Sequence, residues 1–269
     1  HEMAEYKLSK ALNKQTDLPK PSCSDDEMER YTDDYVAFVF EQLELAKQVC
    51  NDPIVLIEQR LDFSKYVREG FGTGDCIIVS DKTMHIIDFK YGMGILVDAK
   101  NNSQMMLYSL GALENYISLY DIEEVTMTIF QPRRENVSTW TIPVSELYGW
   151  AESELKAKAN LAHSGEGEYC PGDWCTFCKA AVKCRARAEE KLKLAQSEFK
   201  LPPLLTDDEI EDALGKIGDI TRWANDLLAY ATDAAVNHGK EWKGYKVVEG
   251  RSIRKFKDEE SVAKAATEH

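Results

Sequence analysis

Several cheap signals are missing from this sequence. Its 269 residues contain no run of eighteen or more apolar side chains, so no hydrophobic membrane-spanning helix can be read from it. Basic charge is in the minority, with 33 Lys and Arg against 47 Asp and Glu. The net of -14 excludes a protein that coats nucleic acid through bulk positive charge. No internal repeat or low-complexity segment stands out. The initiating Met is absent too, and the sequence opens on His1, so the true start is expected to lie upstream. Nothing in the sequence suggests secretion, and a cytoplasmic location is expected.

What is present is a globular composition, 43% hydrophobic, enough for one large domain with an appendage. Charge is uneven along the chain. Residues 23 to 52 hold nine acidic and two basic side chains, whereas 179 to 193 hold six basic and two acidic. The basic stretch follows a group of cysteines and reads either as a solvated helix face or as a contact for phosphate.

The stretch around which the rest is organised runs from Gly72 to Lys90. Two segments rich in Ile and Val flank the turn formers Ser80, Asp81, Lys82 and Thr83, which predicts an antiparallel hairpin. If the turn is centred between Asp81 and Lys82, Asp75 falls opposite Asp88. Facing residues of this kind have Cβ atoms about 4.5 to 5.5 Å apart. Lys90, two residues beyond Asp88, shares its face. Two opposed carboxylates repel unless a cation sits between them, and a hard divalent ion such as Mg²⁺ or Mn²⁺ suits them. A chance Asp pair at an exposed hairpin end is the plain alternative, because a one-residue bulge would break the register.

Around the hairpin, the sequence predicts helices over 1–14, 35–50 (capped by Asp33 or Asp34), 104–120 (capped by Asn101, Asn102 or Ser103), 145–162 and 185–198. It predicts strands over 54–63, 74–80, 83–90, 125–131 and 137–143, with a loop over 15–33. A short strand is expected just before Asp98. After a boundary at Leu201, a helical segment from Thr206 to Gly218 is followed by a long helix to about His238. A last hairpin is expected over 242–256.

Seven cysteines fall into two classes. Cys23, Cys50 and Cys76 are scattered, while Cys170, Cys175, Cys178 and Cys184 crowd into fifteen positions. Crowded thiols without a visible secretory signal point to metal more than to disulfides, either zinc or an iron-sulfur cluster.

The order Gly-x-Gly-Asp, twelve residues, then Asp88-Phe89-Lys90 resembles the PD-(D/E)xK nuclease superfamily. Gln104 and Tyr108, four apart on one helix face, resemble the QxxxY motif of its RecB-like branch. The opening helix with His1 resembles the histidine helix of that branch, and Cys175-x2-Cys178-x5-Cys184 resembles the cysteine group of its AddB and CRISPR-associated members. The resemblance implies an α/β fold of restriction-endonuclease type, a mixed central sheet flanked by helices. It implies a nuclease domain over residues 1–200 that includes the cysteines, followed by a helical and hairpin extension over 201–269. It further implies a metal held by His1, Asp75, Asp88 and the backbone carbonyl of Phe89, with Lys90 acting on the attacking water. Glu58 would support the metal from behind, and Gln104 and Tyr108 would position the substrate strand. The cysteines would hold a [4Fe-4S] cluster, with zinc as the alternative. In that branch the fourth cluster ligand lies upstream of the histidine helix, so here it is either Cys170 or absent. The activity implied is a Mg²⁺- or Mn²⁺-dependent deoxyribonuclease of exonuclease type. Its partners would be DNA and phage replication or recombination proteins. A noncatalytic DNA-binding module of the same fold and a zinc-stabilised interaction protein are the competing readings.

Overall fold

The computed structural model describes residues 1–14, 17–22, 25–197 and 207–248. Contacts divide the chain into two compact units, His1–Gly167 and Glu168–His269. The boundary expected at residue 201 lies outside the described residues. The division at Gly167 places all four crowded cysteines in the second unit.

In the first unit, a five-stranded mixed sheet is built from β1 (Ile54–Asp62), β2 (Phe71–Val79), β3 (Thr83–Phe89), β4 (Glu124–Gln131) and β5 (Asn136–Pro143), in that spatial order. All neighbours are antiparallel except β3 and β4. A parallel pair requires a crossover, and α3 (Ser103–Tyr116) supplies it. Asn102 starts that helix by accepting from the amides of Gln104 (3.0 Å) and Met105 (3.2 Å). Gly111 lets α3 lie close to β1, since a Cβ there would meet the Leu61 Cβ at 3.0 Å and the Asp62 backbone at 3.3 Å.

Buried side chains cover both faces. Ile77, Val79, Met84 and Ile86 pack with Met105, Leu110 and Leu113 of α3 and with Leu147 of α4 (Val144–Trp150). Cys76, Ile78, Ile87 and Phe89 pack on the other face with Leu8 of α1 (Glu2–Ala11) and with Tyr35, Val39 and Leu43 of α2 (Asp26–Lys47). The result is a mixed α/β unit with helices on both sides of the sheet. α4 continues through a π-turn at Ala151–Leu155 into α5 (Lys156–Ser164).

α2 begins nine residues earlier than its apolar periodicity suggests. Asp25, rather than Asp33 or Asp34, accepts from the Met28 amide at 2.7 Å, and Asp26, Glu27 and Glu29 fill a first turn that favours negative charge. Much of the loop expected over 15–33 is therefore helix. The segment before Asp98 forms no strand; Gln131 and Asn136 instead bond its backbone through Ile95 O, Val97 N and Val97 O.

The second unit contains α6 (Arg185–Ser197) and α7 (Asp207–His238). The two helical pieces expected after residue 206 are one continuous helix despite Gly215 and Gly218. Trp242 to Val248 form no strand, and the rest of the expected final hairpin lies outside the described residues.

Candidate metal and nuclease-like site

The site lies where β1, β2 and β3 run together. The β2–β3 ladder keeps the register expected from the turn, Cys76 against Ile87 through Val79 against Met84. It stops one pair short of Asp75 and Asp88. Asp75 Oδ2 instead accepts from the Phe89 amide at 2.7 Å.

The interruption has a local origin. Ile57 pairs with Cys76 and Gln59 with Gly74, which leaves Glu58 opposite Asp75 outside the regular ladder. Glu58 has φ 47, a left-handed backbone that an L side chain adopts at a cost. On both strands the facing alternation reverses at this pair. In β1, Ile54 and Leu56 share the α3-side core with Leu61. In β2, a Cβ at Gly72 or Gly74 would point into the same core that holds Ile77 and Val79. The facing of both strands changes at Glu58 and Asp75, midway along each, and both carboxylates lie near His1.

His1 reaches Asp75 from the α1 side, with Nδ1 3.2 Å from Oδ1 and its ring edge-on to Phe89 at 5.9 Å. Ligand atoms of His1, Glu58 and Asp75 all lie within 4.8 Å of one another. Asp88 is occupied elsewhere. Its Oδ1 accepts from Gln104 Nε2 at 3.1 Å, and its Oδ2 is 2.9 Å from Lys90 Nζ, an ion-pair contact without hydrogen-bond alignment. Lys90 Nζ also donates to Gln104 Oε1 at 3.2 Å, and Gln104 Nε2 is 3.2 Å from the Tyr108 hydroxyl. Gly72 makes room for that tyrosine, because a Cβ there would fall 2.4 Å from Tyr108 Cε1.

The electrostatics show a site with excess negative charge. Burial, then Asp75 and Glu5, push the Glu58 carboxyl up to about 7, against the pull of His1. Burial and Asp75 raise Asp88, with Lys90 opposing. The hydrogen bond to Asp75 raises His1. Two carboxylates beside an imidazole suit a divalent ion of the Mn²⁺ or Mg²⁺ class.

The sequence reading grouped His1 and Asp75 with Asp88 and set Glu58 behind them. The structure brings Glu58 into the trio and ties Asp88 to Lys90 and Gln104. The signal for Glu58 was weak, because its position depends on a backbone angle that composition does not reveal. Gly72 was legible only as part of a motif, without its tyrosine.

Cys170, Cys175, Cys178 and Cys184 are free thiols in a run of tight turns. Among the described residues no three of them lie within 4.8 Å of one another, a closer grouping than the broad cage of an iron-sulfur cluster needs. Gly172 N donates to Cys175 Sγ at 3.5 Å.

Fold and site together define a mixed α/β protein with a carboxylate-rich corner on strands β1 to β3. The chain belongs to the family described as "Protein of unknown function (DUF2800)", whose model matches residues 1–269. A solved structure titled "Crystal structure of SSO0001" is similar at 15% identity over 69% of this chain and 95% of that chain, with a TM-score of 0.29. That likeness carries no functional argument. Among the described residues no helix is long and apolar enough to cross a membrane.

Proposed function

We propose that this chain is a Mg²⁺- or Mn²⁺-dependent deoxyribonuclease of exonuclease type, with the restriction-endonuclease-like fold of the RecB-like branch. One observation carries the reading: Glu58, Asp75 and His1 converge within ligand distance beside an Asp88–Lys90 ion pair. His1, Glu58 and Asp75 would hold the ion, with Asp88 and the Phe89 carbonyl at its border. A bound divalent ion supplies Lewis-acid polarisation of phosphate and a more acidic water.

The chain's own groups then divide the work. Lys90, held by Asp88 and Gln104, orients the attacking water and offsets charge developing on the phosphate. Asp88 keeps Lys90 in place and adds negative charge beside the ion. Gln104 and Tyr108, on the first turns of α3, line the approach of the substrate strand. The thiolates of Cys175, Cys178 and Cys184, with Cys170 or an upstream residue as fourth ligand, would hold a [4Fe-4S] cluster or zinc in the second unit. DNA is the substrate class, in the cytoplasm, alongside phage replication or recombination proteins.

The test is cleavage of end-labelled single- and double-stranded DNA with Mn²⁺. Asp88→Asn should lower the rate at least about 100-fold, the scale of losing one preorganised charge contact, with the circular dichroism spectrum unchanged. Full activity of that variant at saturating metal would place the chemistry elsewhere.

A further inference from the structure

α7 carries apolar side chains on two sides, and its own unit covers one of them. Ala234 is buried, Asp226 pairs with Arg187 at 3.1 Å, and the Tyr230 ring meets Lys183 at 4.8 Å and Trp242 at 6.4 Å. A second stripe starts at Ile210 and advances by alternate steps of four and three residues, through Leu214, Ile217, Thr221, Ala224 and Leu228 to Ala231 and Ala235. No charged residue interrupts it. This spacing is the seam of a two-helix coiled coil. Ile210, Leu214, Ile217 and Leu228 are 43, 65, 54 and 64% exposed, so the seam is open where its bulk is greatest.

The distribution of size and charge along the stripe selects a partner. Its large residues lie mostly in the first half and its small ones in the second. An antiparallel second copy sets Ile217 against Leu228, Leu214 against Ala231, Ile210 against Ala235 and Thr221 against Ala224. The two outermost layers then join a large side chain to a small one, while nearer the centre Ile217 meets Leu228 and Thr221 meets Ala224. A parallel copy would stack Ile210 on Ile210 at one end and Ala235 on Ala235 at the other. The charges agree. Asp207, Asp208, Glu211 and Asp212 crowd the first turns, whereas Lys240, Lys243 and Lys246, with Glu241 among them, follow the helix end. Antiparallel pairing brings acid toward base, and parallel pairing brings acid onto acid.

We propose that the exposed stripe of α7 is a self-association surface on which two copies of this chain pair antiparallel. The proposal is independent of the nuclease reading.

Light scattering coupled to size-exclusion chromatography tests it on the full 269-residue chain. The expected result is the mass of two chains at high micromolar concentration, falling to one on serial dilution. Ile217→Lys and Leu228→Glu should each halve the mass with an unchanged far-ultraviolet circular dichroism spectrum. The double variant should regain the two-chain mass, because each introduced lysine faces an introduced glutamate on the other copy. A one-chain mass for the parent chain at every concentration overturns the proposal, as does a two-chain mass in both single variants. A double variant that stays at one-chain mass with its helices intact overturns the antiparallel arrangement.

Discussion

Glu58 shows how one backbone angle reassigns a side chain. Its left-handed φ and its place opposite Asp75 bring its carboxylate to His1, although its strand position alone marks it as a bystander. If it is a ligand, Glu58→Gln should weaken Mn²⁺ binding at least about tenfold, comparable to losing even a supporting group. Titration calorimetry on the apo protein measures this, and an unchanged affinity would return Glu58 to a supporting role. Asp75, Asp88 and Lys90 were legible because hairpin register is arithmetic on residue numbers. The division of labour among them was not, because it depends on how the first half of β2 departs from β3.

Among the elements, β2 and α3 are coupled through a missing side chain. Gly72→Ala would drive a methyl into the Tyr108 ring, and overpacking of this kind costs about 1–3 kcal/mol. In a Tyr108→Ala background the same substitution should cost less than about 1 kcal/mol. A double-mutant cycle by denaturant unfolding checks the coupling; equal costs in both backgrounds would mean that the ring moves aside freely.

On β3, His85 offers a second test. Its Nε2 lies 2.8 Å from Thr128 Oγ1, which lies 2.8 Å from Thr139 Oγ1, a polar row across β3, β4 and β5. Burial lowers the imidazole from 6.5 to about 4, although the residue is only partly buried. Between those values the unfolded chain binds a proton that the folded chain refuses. Stability from this group is therefore whole above about pH 6.5 and lost as pH falls toward 4. The loss is at most about 3 kcal/mol, reduced by the partial exposure of the residue. His85→Gln, which keeps a polar partner for Thr128, should flatten the melting temperature over that range. A parent and variant with the same pH slope would show that His85 does not titrate in this window. The start of α3 was readable from Asn101, Asn102 and Ser103, of which Asn102 is the cap, but the start of α2 was not, because the polar residues of its first two turns look like loop until Asp25 is seen capping them.

At the scale of the molecule, the two compact units carry different chemistry, carboxylates in the first and thiols in the second. If the thiols hold an iron-sulfur cluster, anaerobic purification should yield a brown protein whose visible absorbance bleaches on reduction. Cys178→Ser should remove the colour together with the iron. A colourless preparation with one stoichiometric zinc would favour the tetrahedral alternative.

By itself, the sequence determined what depends on neighbours within a few residues: strand alternation, the β2–β3 register through a two-residue turn, a cap for α3 at Asn101, Asn102 or Ser103, and the spacing that sets Gln104 beside Tyr108. Tertiary structure alone decided that β1 and β2 change facing together at Glu58 and Asp75, and that Glu58 rather than Asp88 joins His1. It also decided that contacts divide the chain at Gly167 and that, among the described residues, Ile210, Leu214, Ile217 and Leu228 of α7 are exposed. These outcomes rest on positions brought together from distant parts of the chain, where a single left-handed residue or a missing Cβ changes which groups meet, and no local pattern of residue types encodes that.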